Sequence, residues 1–254
     1  MIREQRLSYI QRELQEKGIV SIAELTKTLC SSRSTIRRDL CDLEEQCVLK
    51  CIRGGAAALP RQTANEPSFH ARQDLFGDEK QRIARRAMEF VLENATLLLD
   101  SGTTVYELAK RLALRSRLNI ATNDLQSAMS LSSNPELSVF VLGGTLRARH
   151  FSMNGLFTEQ VIQQLHADTA FLSVDAVDLQ TGLMAFSMEE MPTKRLMIRS
   201  AQRTILLCDH SKFENVAFVS ICPVSDIDII ITGSEIDSGI LAKLREQDVT
   251  VITA

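Results

Sequence analysis

Thr96-Leu97-Leu98-Leu99-Asp100-Ser101-Gly102-Thr103-Thr104 decides how this chain folds. An apolar run ends in a small polar turn. The turn opens an amphipathic stretch that reaches Leu112. This reads as a strand, a tight turn and a helix. Similar apolar runs recur at Leu118–Ala121, Ser138–Leu142, Thr169–Val174, Thr204–Cys208, Asp228–Ile231 and Val249–Ile252. Amphipathic segments separate most of them. The alternation predicts an α/β domain from Lys80 onward, with a mostly parallel sheet and helices on its faces. The C-terminal strand ends of such a sheet share one edge, and ligands bind there.

The rest of the chain is ordinary in composition. Of 254 residues, 44% are hydrophobic and 24% charged, with a net charge of −3. This excludes disordered and collagen-like chains. The length favours two domains at roughly 100–200 residues each. No apolar run reaches the ~18 residues that span a membrane. Arg3, Glu4 and Arg6 leave no signal-peptide core, so a cytoplasmic protein is expected. The six cysteines are too dilute for a disulfide framework and are expected as free thiols. Cys41, Cys47 and Cys51 match no zinc spacing, and the four histidines form no metal-binding pair. Neither a metal nor a cofactor is expected.

Residues 1–57 read as a winged helix-turn-helix, 58–79 as a linker rich in Pro and polar residues, and 80–254 as the α/β domain. Ile2, Leu7, Ile10 and Leu14 recur at helical spacing until Gly18. Ser21 with Glu24 is a capping box that opens a second helix. A third starts after Ser32 and carries Ile36, Leu40 and Leu43 on one face. Val48–Ile52 and the turn Arg53-Gly54-Gly55 complete a ribbon. In such a module the second helix of the pair enters the major groove by its N-terminal end. Here that end offers Arg33, Ser34, Thr35, Arg37 and Arg38, and the ribbon offers Arg53. Arginine forks onto guanine or phosphate. A solvated helix face or a protein-docking module fits the same pattern, and residues 1–58 carry a net charge of only +2.

At the strand ends, Ser101-Gly102-Thr103-Thr104 stands where backbone N–H groups and hydroxyls meet a helix start, an arrangement that suits phosphate. A plain tight turn fits equally. Thr122-Asn123, Gly143-Gly144, Asp175 with Asp178, and Asp209-Ser211-Lys212 close other strands.

The order of these residues resembles the DeoR family of bacterial repressors. Ser32-Arg33-Ser34-Thr35-Ile36-Arg37-Arg38-Asp39-Leu40, then Leu43 and Gly54-Gly55-Ala56, is similar to that family's S-x-x-T-I-R-R-D-L signature and its wing. Asp100–Thr104, Thr122-Asn123, Gly143-Gly144, Asp175–Asp178, Lys194 and Asp209–Phe213 resemble its sensor motifs. Cys47 stands where the family usually has Gly, Cys51 where Arg is common, Arg53 in place of His, and Ala176 where many members have Gly. The resemblance implies a sensor similar in fold to sugar-phosphate isomerases and CoA-transferases. It implies that the helix from Thr35 reads DNA and that Arg53 touches its backbone. It also implies phosphate contacts at Ser101, Gly102, Thr103 and Thr104, and sugar contacts at Asn123, Asp175 and Lys194. Gly143, Gly144 and Lys212 belong to the same expected effector site.

The expected function is a homo-oligomeric DNA-binding repressor of a carbohydrate operon, controlled by a phosphorylated sugar. The alternative is an isomerase-like enzyme in which Asp175, beside Asp178, acts as base and Lys194 steadies an enediolate. An isomerase has no use for the N-terminal module.

Overall fold

A computed structural model of the chain describes residues 2–45, 48–58 and 66–254. The chain divides into two compact units, 1–77 and 78–254.

The first unit holds helix α1 (Arg3–Lys17), strand β1 (Ile19–Ser21), helices α2 (Ile22–Thr28) and α3 (Arg33–Glu45), and strands β2 (Leu49–Ile52) and β3 (Gly55–Ala58). Ser21 caps α2 by accepting the Glu24 N–H at 3.1 Å, and Gly18 ends α1 in a left-handed conformation. The three strands pair antiparallel in the order β1-β3-β2. Ile10, Leu14, Leu25, Ile36, Leu40, Leu43 and Leu49 form one core beneath them. Residues 59–65 and Cys47 lie outside the described residues. The remainder of the expected linker contains helix α4 (Phe69–Asp74), capped by Ser68, and the first residues of helix α5 (Gly77–Ala87).

The second unit continues from α5 into β4 (Thr96–Leu99), α6 (Thr103–Leu112), β5 (Asn119–Thr122), α7 (Leu125–Leu131) and β6 (Ser138–Val141). A hairpin of β7 (Thr145–Leu146) and β8 (Met153–Asn154) leads to α8 (Leu156–Ile162) and β9 (Ala167–Leu172). Then come β10 (Ala176–Asp178), β11 (Gly182–Ala185), α9 (Glu190–Arg199), β12 (Ala201–Leu207), β13 (Val219–Cys222), β14 (Ile229–Thr232), α10 (Ser238–Arg245) and β15 (Thr250–Thr253). Seven strands form one parallel sheet in the order β15-β14-β12-β9-β4-β5-β6. Successive side chains of a strand face opposite ways. Leu97, Leu99, Phe171, Ile205 and Leu207 therefore pack under α5, α6 and α7 on one face. Leu98, Ala170, Leu172 and Leu206 pack under α8, α9 and α10 on the other. Both faces of the central strands are covered, so their buried stretches, such as Leu97–Leu99, Ala170–Leu172 and Ile205–Leu207, are continuous apolar runs rather than alternating ones. β10, β11 and β13 form a separate antiparallel sheet.

Candidate functional site

In the first unit, Ser32 caps α3 by accepting the Thr35 N–H at 3.1 Å, and its Oγ lies 2.8 Å from both the Ser34 and Thr35 hydroxyls. Burial of Ile36, Leu40 and Leu43 fixes the rotation of the helix. Arg33, Ser34, Arg37 and Arg38 are left exposed, Thr35 is half-buried, and Arg53 is exposed at the β2–β3 turn. Sequence reasoning missed Asp39. An acid within a basic motif would repel phosphate, but this one is buried and takes a forked bond from Arg6 of α1, at 2.8 Å from Nε and 3.1 Å from Nη2. The Asp39 bond and charge raise the Arg6 pKa. The pair fastens α3 to α1 and removes the acid from the exposed face. Glu44 accepts the Cys51 N–H at 2.8 Å and ties α3 to the wing. Burial and Glu44 push the Cys51 thiol up to about 11, so it is protonated at neutral pH. Among the described residues, no group of three or more His, Cys, Asp or Glu is placed to hold a metal ion.

In the second unit the candidate site is organised by Asp100, at the end of β4. Its Oδ2 accepts the Ser173 N–H at 3.0 Å and the Lys194 ammonium at 2.5 Å. Lys194 also donates to the Ser173 carbonyl at 2.9 Å and lies 3.9 Å from Glu190, four residues earlier on α9. Burial opposes the lysine's charge, but Asp100 and Glu190 outweigh it and its pKa rises. Glu190 pairs in turn with Arg147 and accepts the Ser152 hydroxyl at 3.3 Å. Asp175 contributes to the field at Lys194, and its Oδ2 accepts the Phe186 N–H at 3.0 Å.

Ser101, Thr103 and Thr104 are buried at the start of α6, whose first-turn N–H groups have no partner within the helix. Gly102 stands where two strand ends approach closely. A Cβ there would lie 2.3 Å from Ser173 Oγ, so the glycine admits the neighbouring strand end. Gly144 does similar work, since its Cβ would lie 2.4 Å from Thr158 Oγ1 and 2.5 Å from the Asn154 carbonyl. Asn123 donates to the Met153 carbonyl at 3.2 Å.

The structure thus gathers Asp100, Asp175 and Lys194 and sets the Ser101–Thr104 turn directly after Asp100. Lys212 stands in a second group after β12. There, burial raises the Asp209 pKa, but Lys212 and Lys80 outweigh it and lower it. His210 Nδ1 pairs with Glu79 of α5 at 2.7 Å in the same group. Asp178 is not paired with Asp175; its Oδ1 accepts the Gln180 and Thr181 N–H groups at 3.0 and 2.7 Å and shapes the β10–β11 turn.

Asp124, which follows Asn123, was also missed. Its Oδ1 caps α7 through the Ser127 N–H at 2.6 Å. Burial pushes its carboxyl up to about 6, aided by the charge of Asp100 and opposed by the Ser127 bond. A raised carboxyl pKa means that the folded state resists ionisation. The penalty is absent below the unfolded value near 4 and complete above 6, so this group's share of stability falls as pH rises between them. Asp124→Asn keeps a capping oxygen and removes the charge. It is expected to stabilise the unit by about 3 kcal/mol at pH 7.5, at ~1.4 kcal/mol per pKa unit, and by almost nothing at pH 4. Urea unfolding at both pH values checks this, and an equal gain at both would count against it.

Two family models match the chain. One is the DeoR-like helix-turn-helix domain, over residues 6–62; the other is the DeoR C terminal sensor domain, over residues 76–234. The chain belongs to the DeoR family of DNA-binding transcriptional regulators. Curated relatives agree over nearly the full length. The HTH-type transcriptional regulator GolR of Listeria innocua serovar 6a is 32% identical over 247 residues, covering 97% of each chain. The glycerol-3-phosphate regulon repressor of Escherichia coli K12 is 35% identical over 230 residues, covering 91% of this chain and 90% of that one. Among solved structures, ribose 5-phosphate isomerase A of Methanocaldococcus jannaschii is 18% identical with a TM-score of 0.41. The match spans about half of each chain, 54% in both cases. As a DeoR-family member the chain couples a DNA-reading module to a sensor domain. Among the described residues, no helix is long and apolar enough to cross a membrane.

Proposed function

We propose that this DeoR-family regulator is a cytoplasmic, homo-oligomeric repressor of a carbohydrate operon, released by a phosphorylated sugar. DNA recognition belongs to residues 1–57 and effector sensing to residues 80–254. Arg33, Ser34, Thr35, Arg37 and Arg38 face the major groove, and Arg53 lies on the backbone beside it. Ser101, Gly102, Thr103 and Thr104 hold the phosphate at the α6 N-terminus. Asn123, Gly143, Gly144, Asp175, Lys194 and Lys212 surround the sugar. The observation that carries the sensor reading is the buried Ser101–Thr104 turn opening α6 beside the Asp100–Lys194 pair. A phosphate-bearing effector is also in keeping with the name of the glycerol-3-phosphate regulon repressor. Effector and DNA then bias one equilibrium from two sites, each lowering affinity for the other.

Sensing fits the site better than turnover. What supports sensing is that the Lys194 ammonium is engaged by Asp100 and the Ser173 carbonyl, and that Asp178, the carboxylate beside Asp175 in sequence, is committed to a hairpin turn. Incubating the full chain with ribose 5-phosphate, glucose 6-phosphate, galactose 6-phosphate and glycerol 3-phosphate, followed by chromatography, tests this. Each compound should be recovered unchanged and at least one should be bound. Conversion of any of them would favour the enzyme.

A further inference from the structure

Four buried oxygens at the C-terminal edge of the sheet have no hydrogen-bond donor: Asp100 Oδ1, Asn123 Oδ1, Asp124 Oδ2 and Asn154 Oδ1. Their residues are at most 3% exposed. They belong to adjoining segments. Leu99 pairs with Thr122 across β4 and β5, which brings Asp100 beside Asn123. Asn123 and Met153 bond reciprocally, with the Met153 N–H donating to the Asn123 carbonyl at 2.7 Å. Asn154 follows, and its Nδ2 donates to Ser152 Oγ at 3.2 Å. Ser152 bridges to Asp124. All four atoms are acceptors. The nearby cation Lys194 is bonded to the other oxygen of Asp100. The Ser127 hydroxyl, also buried without a partner and acting on the Asp124 carboxyl, offers one donor against these four acceptors. Buried polar atoms are normally satisfied, and this excess of acceptors in one place points to a missing donor.

We propose that Asp100, Asn123, Asp124 and Asn154 form an acceptor-only subsite that recognises neighbouring hydroxyl groups of the effector. Asp124 and Asn154 are its specificity determinants. This rests on the reading of the unit as a phosphorylated-sugar sensor and says which sugars it takes. A carbon that carries hydrogen, a carbonyl or an O-alkyl group supplies no donor and leaves these oxygens unpaired. A site built on buried polar groups rejects such analogues far more strongly than an apolar pocket does. The Arg147–Ser152 segment adjoins this group, and its Phe151 carbonyl accepts the Leu125 N–H at 3.0 Å.

Calorimetry on the full chain tests the subsite. Ribose 5-phosphate, glucose 6-phosphate, galactose 6-phosphate, glycerol 3-phosphate and inorganic phosphate are titrated first. The tightest-binding ester is then compared with its monodeoxy analogues, one per hydroxyl. At least one analogue should bind tenfold or more weakly than its parent. Asp124→Asn or Asn154→Leu should erase that difference while leaving binding of inorganic phosphate unchanged. Circular dichroism shows which variant is folded, and either one suffices. Losses below tenfold for every analogue, or a loss that the folded variants retain, would mean that the four oxygens hold only water; the phosphate reading would survive. Absence of binding by every ester and by phosphate would overturn both.

Discussion

Lys194→Met is expected to destabilise the second unit by about 3–5 kcal/mol, the scale for breaking a buried ion pair from one side. Asp100 is fully buried and Lys194 is 3% exposed, so removing the ammonium strands a carboxylate that water cannot reach. Methionine fills most of the volume, which leaves charge as the cause of the loss. Asp100→Asn in the same chain removes the stranded charge and keeps an oxygen for the Ser173 N–H, so the double variant should recover most of the stability. Urea unfolding of the two variants measures this. A loss below about 1 kcal/mol in the single variant, or no recovery in the double, would contradict the assignment. The residue that resembles the family's effector contact therefore also holds β4, β9 and α9 together. Weakened effector binding by Lys194→Met counts as lost recognition only where the protein is still folded.

The second large effect is expected on DNA. Arg37 and Arg38 are exposed on α3, while the core of the first unit is held by Ile36, Leu40 and Leu43 and by the Arg6–Asp39 fork. Arg37→Ala with Arg38→Ala should leave the unfolding free energy within about 0.5 kcal/mol of wild type, as for exposed substitutions generally. Each lost base contact should cost ~1–3 kcal/mol at one position of the site. Each lost phosphate contact should instead lower the salt slope by about one unit and weaken all sequences alike. Fluorescence anisotropy across a potassium chloride series separates the two, and unchanged DNA affinity in the double variant would remove α3 as the reading helix.

Much of the fold was legible because burial on two faces leaves a plain mark. Where a strand is covered on both sides its buried stretch is a continuous apolar run, and each of the seven expected runs became a strand of the parallel sheet. The run Thr96–Leu99 matches β4, while β9 begins two residues before its run, at Ala167. The small antiparallel sheet was not legible. β10, β11 and β13 have three or four residues each and lie among turn signals. β3 was hidden for another reason. Gly55-Ala56-Ala57-Ala58 has poor strand propensity, but a Cβ at Gly55 would lie 2.0 Å from the Val20 carbonyl, so close pairing with β1 selects glycine.

The candidate site was legible where its parts are local. Ser101–Thr104 needs only a strand, a turn and a helix in sequence. Its charge partners are not local. Asp100 and Lys194 are 94 residues apart, and only the adjacency of β4, β9 and α9 brings them together. Asp39 was equally hidden, because its meaning depends on Arg6, 33 residues earlier. A carboxylate reads as an acid in sequence; whether it is a ligand group or a fastening depends on which cation the fold places beside it.

One chain is expected to read DNA and to release it on binding a phosphorylated sugar. Genomic fragments retained by the full chain over competitor DNA supply the labelled duplex, and anisotropy is followed as sugars are added in pairs, phosphorylated and free. One phosphorylated sugar should displace the duplex while its unphosphorylated counterpart does not, and Ser101→Ala with Thr103→Ala should still bind the duplex but be released only at higher concentrations of that sugar. Failure to retain any fragment specifically, or equal release by the free sugar, would contradict it.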